Sequence, residues 1–349
     1  MRDCGIDVHD EYSRFFILDE DGSEMLSARV RTTEPAMRAE FDGREPMRIV
    51  LESGTHATWL SKLLEECGHE VIVAHARRIQ LIAENHRKTD RIDAELLARL
   101  LHSDLQLLTE SYVRGEEAER VRTALKARKH LVECRTKLSN AIRGLTRKMG
   151  HRLDSCTVET LPETFAESDL PDVFKQMLGP LAFTIFALTG WIDKMDRQLE
   201  EMAEDYEIVE VFTDIFGVGT KTALAYAATI EDPFRFRRSK KVGAYFGLAP
   251  SVSNSGNEKS DENKTGRITK RGDGMVRSLL VQAAQTMLRE DSPDSELRNF
   301  GKRIERKKGK KKAAVAVARK LSVVMHTLWV TGRDYDPWYY ENHHGEKPS

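Results

Sequence analysis

Cys4-Gly5-Ile6-Asp7-Val8 is followed by a second apolar run at Arg14-Phe15-Phe16-Ile17-Leu18 and a turn at Asp19-Glu20-Asp21-Gly22, and this stretch decides how the chain folds at its start. Short runs of β-branched and aromatic residues bounded by turn formers predict a β-hairpin. Asp7 sits inside the first run, between Ile6 and Val8. A charge in a central strand costs roughly several kcal/mol unless something pairs it.

The next segments extend this into an α/β layer. Arg48-Ile49-Val50-Leu51-Glu52 is an apolar run closed by an acid, and Ser53-Gly54-Thr55 opens a helical pattern through Trp59, Leu60, Leu63 and Leu64. Glu52 is therefore expected at the carboxyl edge of a sheet, where α/β folds place ligands. Glu70-Val71-Ile72-Val73-Ala74 predicts a further strand one helix later. In Lys88-Thr89-Asp90-Arg91-Ile92-Asp93-Ala94, Thr89 is placed to cap a helix that runs through Leu101, and Asp90 and Asp93 share one face. Each acid alone has a plainer explanation: acids in a first turn complement the helix dipole, and a Glu after a strand can stand in water. Together, Asp7, Glu52, Asp90 and Asp93 form a hard-oxygen set without a cysteine or histidine cluster, which favours Mg²⁺ or Mn²⁺ over zinc. Two such ions about 4 Å apart can clamp the attacking and leaving oxygens of a phosphodiester.

Composition fits that chemistry. A chain of 349 residues holds two or three domains with real cores. Cys4, Cys67, Cys134 and Cys156 lack paired spacing, which points to a reduced, cytoplasmic protein without structural zinc. No signal-peptide core and no 18-residue apolar run is apparent, so the expectation is a soluble protein with no membrane partner. The net charge of −1 conceals blocks of opposite sign. Residues 120–148 hold ten Lys or Arg against one acid, residues 152–214 four against fifteen, and residues 264–320 seventeen against six. Two basic blocks beside a metal-type acid set point to a polyanionic substrate.

These shifts divide the chain into an α/β part at 1–112, a helical part at 113–211 and a C-terminal part at 212–349. A helical pattern over 116–149 and a second over about 183–211 predict a long helical hairpin or coiled coil whose apolar seam serves the core or an oligomer contact. Ile215-Phe216-Gly217-Val218-Gly219-Thr220-Lys221 is a Gly-x-Gly turn opening a helix. Such a turn can hold a phosphate on free N–H groups or simply join two helices. It fits a helix-hairpin-helix-like element in a mainly helical C-terminal domain, with Gly217, Gly219 and Lys221 as nucleic-acid contacts. Tyr245-Phe246-Gly247-Leu248-Ala249-Pro250 precedes a polar loop, Ser251 to Asn257, and Gly266-Arg267-Ile268-Thr269-Lys270-Arg271-Gly272-Asp273 follows it. Arg267, Lys270 and Arg271, and further on Lys307, Lys308, Lys310 and Lys311, are candidate phosphate contacts. The last group lies too densely for separate base readout, and its alternative is a solvated tail.

Taken together, Gly5-Ile-Asp-Val-His9, Glu52-Ser-Gly54, Lys88-Thr-Asp-Arg-Ile-Asp-Ala94, Gly217-Val-Gly219, Gly247-Leu-Ala-Pro250, the Ser-Gly loop, Gly266 to Asp273 and Ala318-Arg-Lys320 resemble the DEDD transposases of the IS110 and IS1111 insertion sequences. The resemblance spans nearly the whole chain. It implies an N-terminal domain of RuvC-like, RNase H-type fold with Asp7, Glu52, Asp90 and Asp93 as metal ligands, and a C-terminal domain bearing a serine nucleophile. The motif maps that serine to Ser255, before Gly256, with Ser253 as a second candidate. It further implies DNA as substrate, a structured noncoding guide RNA, and a homo-oligomer, dimer or tetramer, in which carboxylate-held metals activate the serine. Two other functions share these features: a RuvC-like resolvase or nuclease that uses water as nucleophile, and a non-catalytic nucleic-acid scaffold.

Overall fold

β1 (Asp3–Asp7) and β2 (Tyr12–Leu18) form the antiparallel hairpin, and the chain continues into β3 (Glu24–Arg31) on the outer side of β2. After helix α1 (Glu34–Phe41), β4 (Arg48–Glu52) joins β1 in parallel; after α2 (Ala57–Glu66), β5 (Glu70–Ala74) joins β4 in parallel. The sheet order is β3-β2-β1-β4-β5, with β1 central. The computed structural model describes residues 1–75, 90–105, 108, 110–250 and 267–344, and it divides into the units Met1–Gly115 and Glu116–Ser349.

Strand alternation gives the sheet two buried faces. Cys4, Ile6, Phe15, Ile17, Ile49 and Leu51 pack with Met37, Phe41, Leu60 and Leu64 of α1 and α2. The opposite face carries Asp3, Gly5 and Asp7 of β1 and meets helix α3 (Asp90–Ser103) through Val50, Leu97, Leu101, Phe16, Ala94 and Ala98. Gly5 is what lets α3 approach. A Cβ there would lie 2.2 Å from the Ala94 carbonyl oxygen and 2.5 Å from the Ala98 nitrogen, so any side chain would drive the helix off the strand. Two residues earlier on β1, the fully buried Asp3 carboxylate accepts from Arg48 Nε at 2.7 Å and Nη2 at 2.9 Å, and its Oδ2 lies 2.9 Å from His102 Nδ1. Because that carboxylate can only accept, Nδ1 of His102 carries the proton.

Unit two is helical. α4 (Glu116–Lys148) packs along α6 (Asp172–Glu204), with the short α5 (Leu161–Glu167) between them in sequence. Arg128 pairs with Asp196, and Arg135 reaches Glu159 at 2.8 Å and Thr189 Oγ1 at 3.2 Å. α6 begins well before the expected 183 and ends before 211. Pro180 lies inside it, a residue that normally ends a helix. α7 (Ile208–Thr213), α8 (Thr220–Ile230), α9 (Val242–Tyr245), α10 (Gly274–Met287), α11 (Glu296–Lys308) and α12 (Lys310–Thr331) follow, and α13 (Tyr339–His344) closes the described chain. The core of this unit is built around α8, whose Tyr226 is fully buried and donates to the Ser322 carbonyl of α12 at 2.7 Å. By length and composition α6 and α12 could each cross a membrane; half of the apolar window of α12 is buried in this core, against 17% for α6. α6 exposes Val173, Met177, Phe183, Phe186 and Trp191.

The Asp3 pair gives a direct test of unit one. Arg48→Met leaves the buried carboxylate with His102 as its remaining side-chain hydrogen-bond partner among the described residues. The full chain should lose about 3 kcal/mol of unfolding free energy in denaturant titration. Arg48→Met combined with Asp3→Leu should recover most of that loss, because no charge is then stranded.

Candidate functional site

The strand register brings two of the acids together. Ile6 pairs with Leu51 in the parallel β1–β4 ladder, and the next step of that ladder sets Asp7 beside Glu52 at the carboxyl ends of both strands. Both residues continue the Gly5 and Val50 positions and so belong to the face covered by α3. α3 runs antiparallel to β1: His102 lies at Asp3 and Ala94 to Ala98 at Gly5. Two residues of strand advance about 6.6 Å, the length of roughly four helical residues. Asp7 is therefore level with residues 91 to 93, at the end of α3 where Asp90 and Asp93 stand. Asp93 is partly buried, while the side chain of Asp90 and the expected cap Thr89 lie outside the described residues.

Asp7 is 8% exposed, and its Oδ2 lies 3.0 Å from His9 Nε2. Nearby on the same edge, His56 Nε2 lies 3.0 Å from Asp10 Oδ1, and Trp59 Nε1 donates to His56 Nδ1 at 3.1 Å. An accepting Nδ1 leaves the His56 proton on Nε2, aimed at Asp10. These histidines were not singled out as site residues from sequence, although His9 follows Asp7 by only two positions. Among the described residues no three His, Cys, Asp or Glu side chains converge closely enough to hold a metal ion. The donors at the edge are carboxylate oxygens and imidazoles without a thiol, a chemistry that suits a hard divalent cation.

In unit two, Gly217 and Gly219 shape the turn between α7 and α8. Gly217 has φ +87°, and a Cβ there would lie 2.9 Å from the Ala283 carbonyl oxygen; Gly219 is the residue before α8, and its carbonyl accepts from Thr222 and Ala223. Lys221 is partly exposed, with Nζ 3.3 Å from Asp196 Oδ2. The segments 247–250 and 267–273 are joined backbone to backbone. Thr269 N donates to Ala249 O, Lys270 N donates to Gly247 O, and Pro250 bridges Ile268. The two ends of the serine-bearing segment are thereby pinned side by side; Ser253 and Ser255 lie outside the described residues. Arg267, Lys270 and Arg271 are exposed beside this junction. Lys307 and Lys308 end α11, Gly309 turns the chain at φ +82°, and Lys310 and Lys311 begin α12, all of them exposed. The basic run is thus a helix corner and not a tail.

Residues 4–149 match the family described as the DEDD transposase of IS110, and residues 209–299 match the transposase family IS116/IS110/IS902, which together span more than half of the chain. The chain belongs to the IS110 family of transposases. It is 29% identical over 293 residues to the transposase for insertion sequence element IS1111A of Coxiella burnetii, covering 78% of each chain. It is 25% identical over 246 residues to the transposase for insertion sequence element IS1328 of Yersinia enterocolitica, covering 70% of this chain and 71% of that one.

Asp273 shows what the last residue of the Gly266-to-Asp273 motif does in this transposase. Its carboxylate caps α10, accepting from Met275 N at 2.9 Å and Val276 N at 3.0 Å, and pairs with Arg122 of α4 at 2.8 Å. Burial pushes its carboxyl upward, but the Val276 N–H and the Arg122 guanidinium together hold it below the usual carboxylate range. A carboxyl depressed on folding adds stability above its unfolded value near 4, and that stability fades as pH falls through the lower folded value. Asp273→Asn should therefore flatten the loss of stability below about pH 4 in acid titration followed by circular dichroism. An unchanged acid limb would show that Asp273 contributes nothing to it.

Proposed function

We propose that this transposase cuts and rejoins DNA as a site-specific recombinase of an insertion sequence, with Asp7, Glu52, Asp90 and Asp93 of a RuvC-like, RNase H-type domain holding Mg²⁺ or Mn²⁺ and Ser255 as nucleophile. The observation that carries this reading is the meeting of β1, β4 and the start of α3 at one sheet edge, which sets Asp7 beside Glu52 and level with Asp93. A divalent ion bound there would neutralise charge on the scissile phosphate. Ser255 Oγ attacks phosphorus and gives up its proton to water; the P–O bond to one deoxyribose oxygen breaks, and that oxygen takes up a proton. The resulting phosphoserine ester conserves the bond energy, so attack by another strand end rejoins the DNA and frees the serine.

The partners belong to the same reading. Exposed cations on the α11–α12 corner and beside the pinned junction favour phosphate contact over base readout. That division of labour suits a noncoding RNA that supplies sequence recognition by pairing. The exposed apolar side chains of α6 support a homo-oligomer, since such a face is normally covered.

Two measurements test this. Suicide substrates with a nick near the cleavage site, mixed with the full chain and digested, should give a phosphopeptide on Ser255 that is abolished in Ser255→Ala and kept in Ser253→Ala. Cutting without any adduct would favour water as nucleophile. Separately, the log of duplex affinity should fall with log salt at a slope of roughly −4 if about five cations sit on phosphates. Replacing Lys307, Lys308, Lys310 and Lys311 with Ala should flatten that slope and weaken all sequences alike; an unchanged slope removes the corner from the interface.

A further inference from the structure

The α11–α12 hairpin opens on one side into a groove of about 800 Å³ whose third wall is the segment from Thr331 to Tyr339. Gly301 sets the hairpin's spacing, because a Cβ there would lie 2.5 Å from Leu288 Cδ2 and 2.6 Å from Val317 Cγ2. The third wall is tied back to the start of α11, where Glu296 N donates to the Pro337 carbonyl at 3.0 Å. The floor is apolar, with Leu297, Val324 and Leu328. Five cations line the walls, Lys302, Arg303, Arg306, Lys320 and Arg333, against three acids. Of the acids, Asp336 already accepts from Trp338 N and Asn342 Nδ2, each at 2.8 Å. Lys302 pairs with Glu305 at 3.0 Å, while Arg303 and Arg306 have no carboxylate partner among the described residues.

An apolar floor beneath unpaired guanidinium groups asks for a ligand that is anionic at one end and flat and apolar at the other. The rim supplies the matching aromatic platform. Tyr339 is 38% exposed, its hydroxyl accepts from Arg333 Nη1, and His343 stacks on its ring with centroids 4.2 Å apart, so the ring is held in place. A volume of this size suits one or two nucleotides. A paired duplex keeps its bases stacked inside, so only an unpaired nucleotide can deliver a base to such a floor.

We infer that this groove binds an unpaired nucleotide, with its phosphate on Arg303 and Arg306 and its base against Tyr339 and the Val324–Leu328 floor. The inference rests on the reading that the chain handles nucleic acid, and it adds a base-accepting site distinct from the phosphate contacts of the lysine corner. The strand that fills it is single-stranded DNA or RNA; the chemistry is shared, and a 2′-hydroxyl separates the two.

The test uses the full chain and labelled strands read by fluorescence anisotropy: an eight-residue oligo-dT, an eight-residue oligo-U, an abasic strand of the same length, and a duplex. Thr327→Trp projects a large side chain from an exposed α12 position into the groove, and Tyr339→Ala removes the platform without touching the core. Each should weaken the better-bound of oligo-dT and oligo-U by about tenfold, in line with one lost base stack, and leave the abasic strand and the duplex within about twofold. Whichever single strand binds more tightly to the wild type identifies the source. Equal losses on the abasic strand, or no loss on either single strand in both variants, would overturn the base site while leaving nucleic-acid binding intact. Failure of the wild type to bind any of the four probes at low salt would overturn the nucleic-acid reading as well.

Discussion

Helix α3 can lie on β1 only because position 5 has no side chain. With a Cβ at Gly5 2.2 Å from the Ala94 carbonyl oxygen, backbone touches backbone, and the helix is fixed in height as well as in direction. The buried Asp3 grips the far end of α3 through His102 and ties β4 to β1 through Arg48. Those two contacts leave no freedom in where the start of α3 falls, and it falls at the carboxyl edge beside Asp7. An acidic set drawn from three elements separated in sequence is thus positioned by packing on the opposite half of the same strand. The buried, paired carboxylate of Asp3 thus fixes the register that sets Asp7 beside Glu52 and level with Asp93.

The same device recurs in unit two, where glycines mark backbone-to-backbone contacts. A Cβ at Gly247 would lie 2.1 Å from the Arg271 carbonyl oxygen, and one at Gly272 would lie 1.9 Å from the Tyr245 carbonyl oxygen. Both have positive φ, as does Lys270 at 54°, an uncommon conformation for a side-chain-bearing residue. The strain sits at the base of the segment that carries Ser255, and Asp273 ties that base to α4 through Arg122.

Much of this was legible in the sequence. The apolar runs 4–8, 14–18, 48–52 and 70–74 gave strands where the sheet has them, and the helical pattern running to Leu101 gave a helix with Asp90 and Asp93 at its start. β3 was not read from the sequence although Leu26, Ala28 and Val30 alternate with Ser27, Arg29 and Arg31, because at the sheet edge Val30 is its one fully buried residue and the small Ala28 makes the apolar stripe weak. The early start of α6 was hidden by Gly179 and Pro180, breakers that tertiary packing overrides. The Asp3 network was equally hidden, since its partners stand 45 and 99 positions away. The α11–α12 corner was legible as charge but not as shape: Lys307, Lys308, Lys310 and Lys311 look alike in sequence whether they form a tail or a helical turn at Gly309.

The central claim is that the edge formed by Asp7, Glu52, Asp90 and Asp93 holds a divalent cation. Titration of Mn²⁺ into the full chain, with free ion counted by electron paramagnetic resonance, addresses it without any DNA or catalytic readout. The account predicts saturable binding by the wild type and by Ser255→Ala, and loss of that binding in Asp7→Asn and in Asp93→Asn with both variants folded. Undiminished Mn²⁺ binding in folded Asp7→Asn and Asp93→Asn would contradict it.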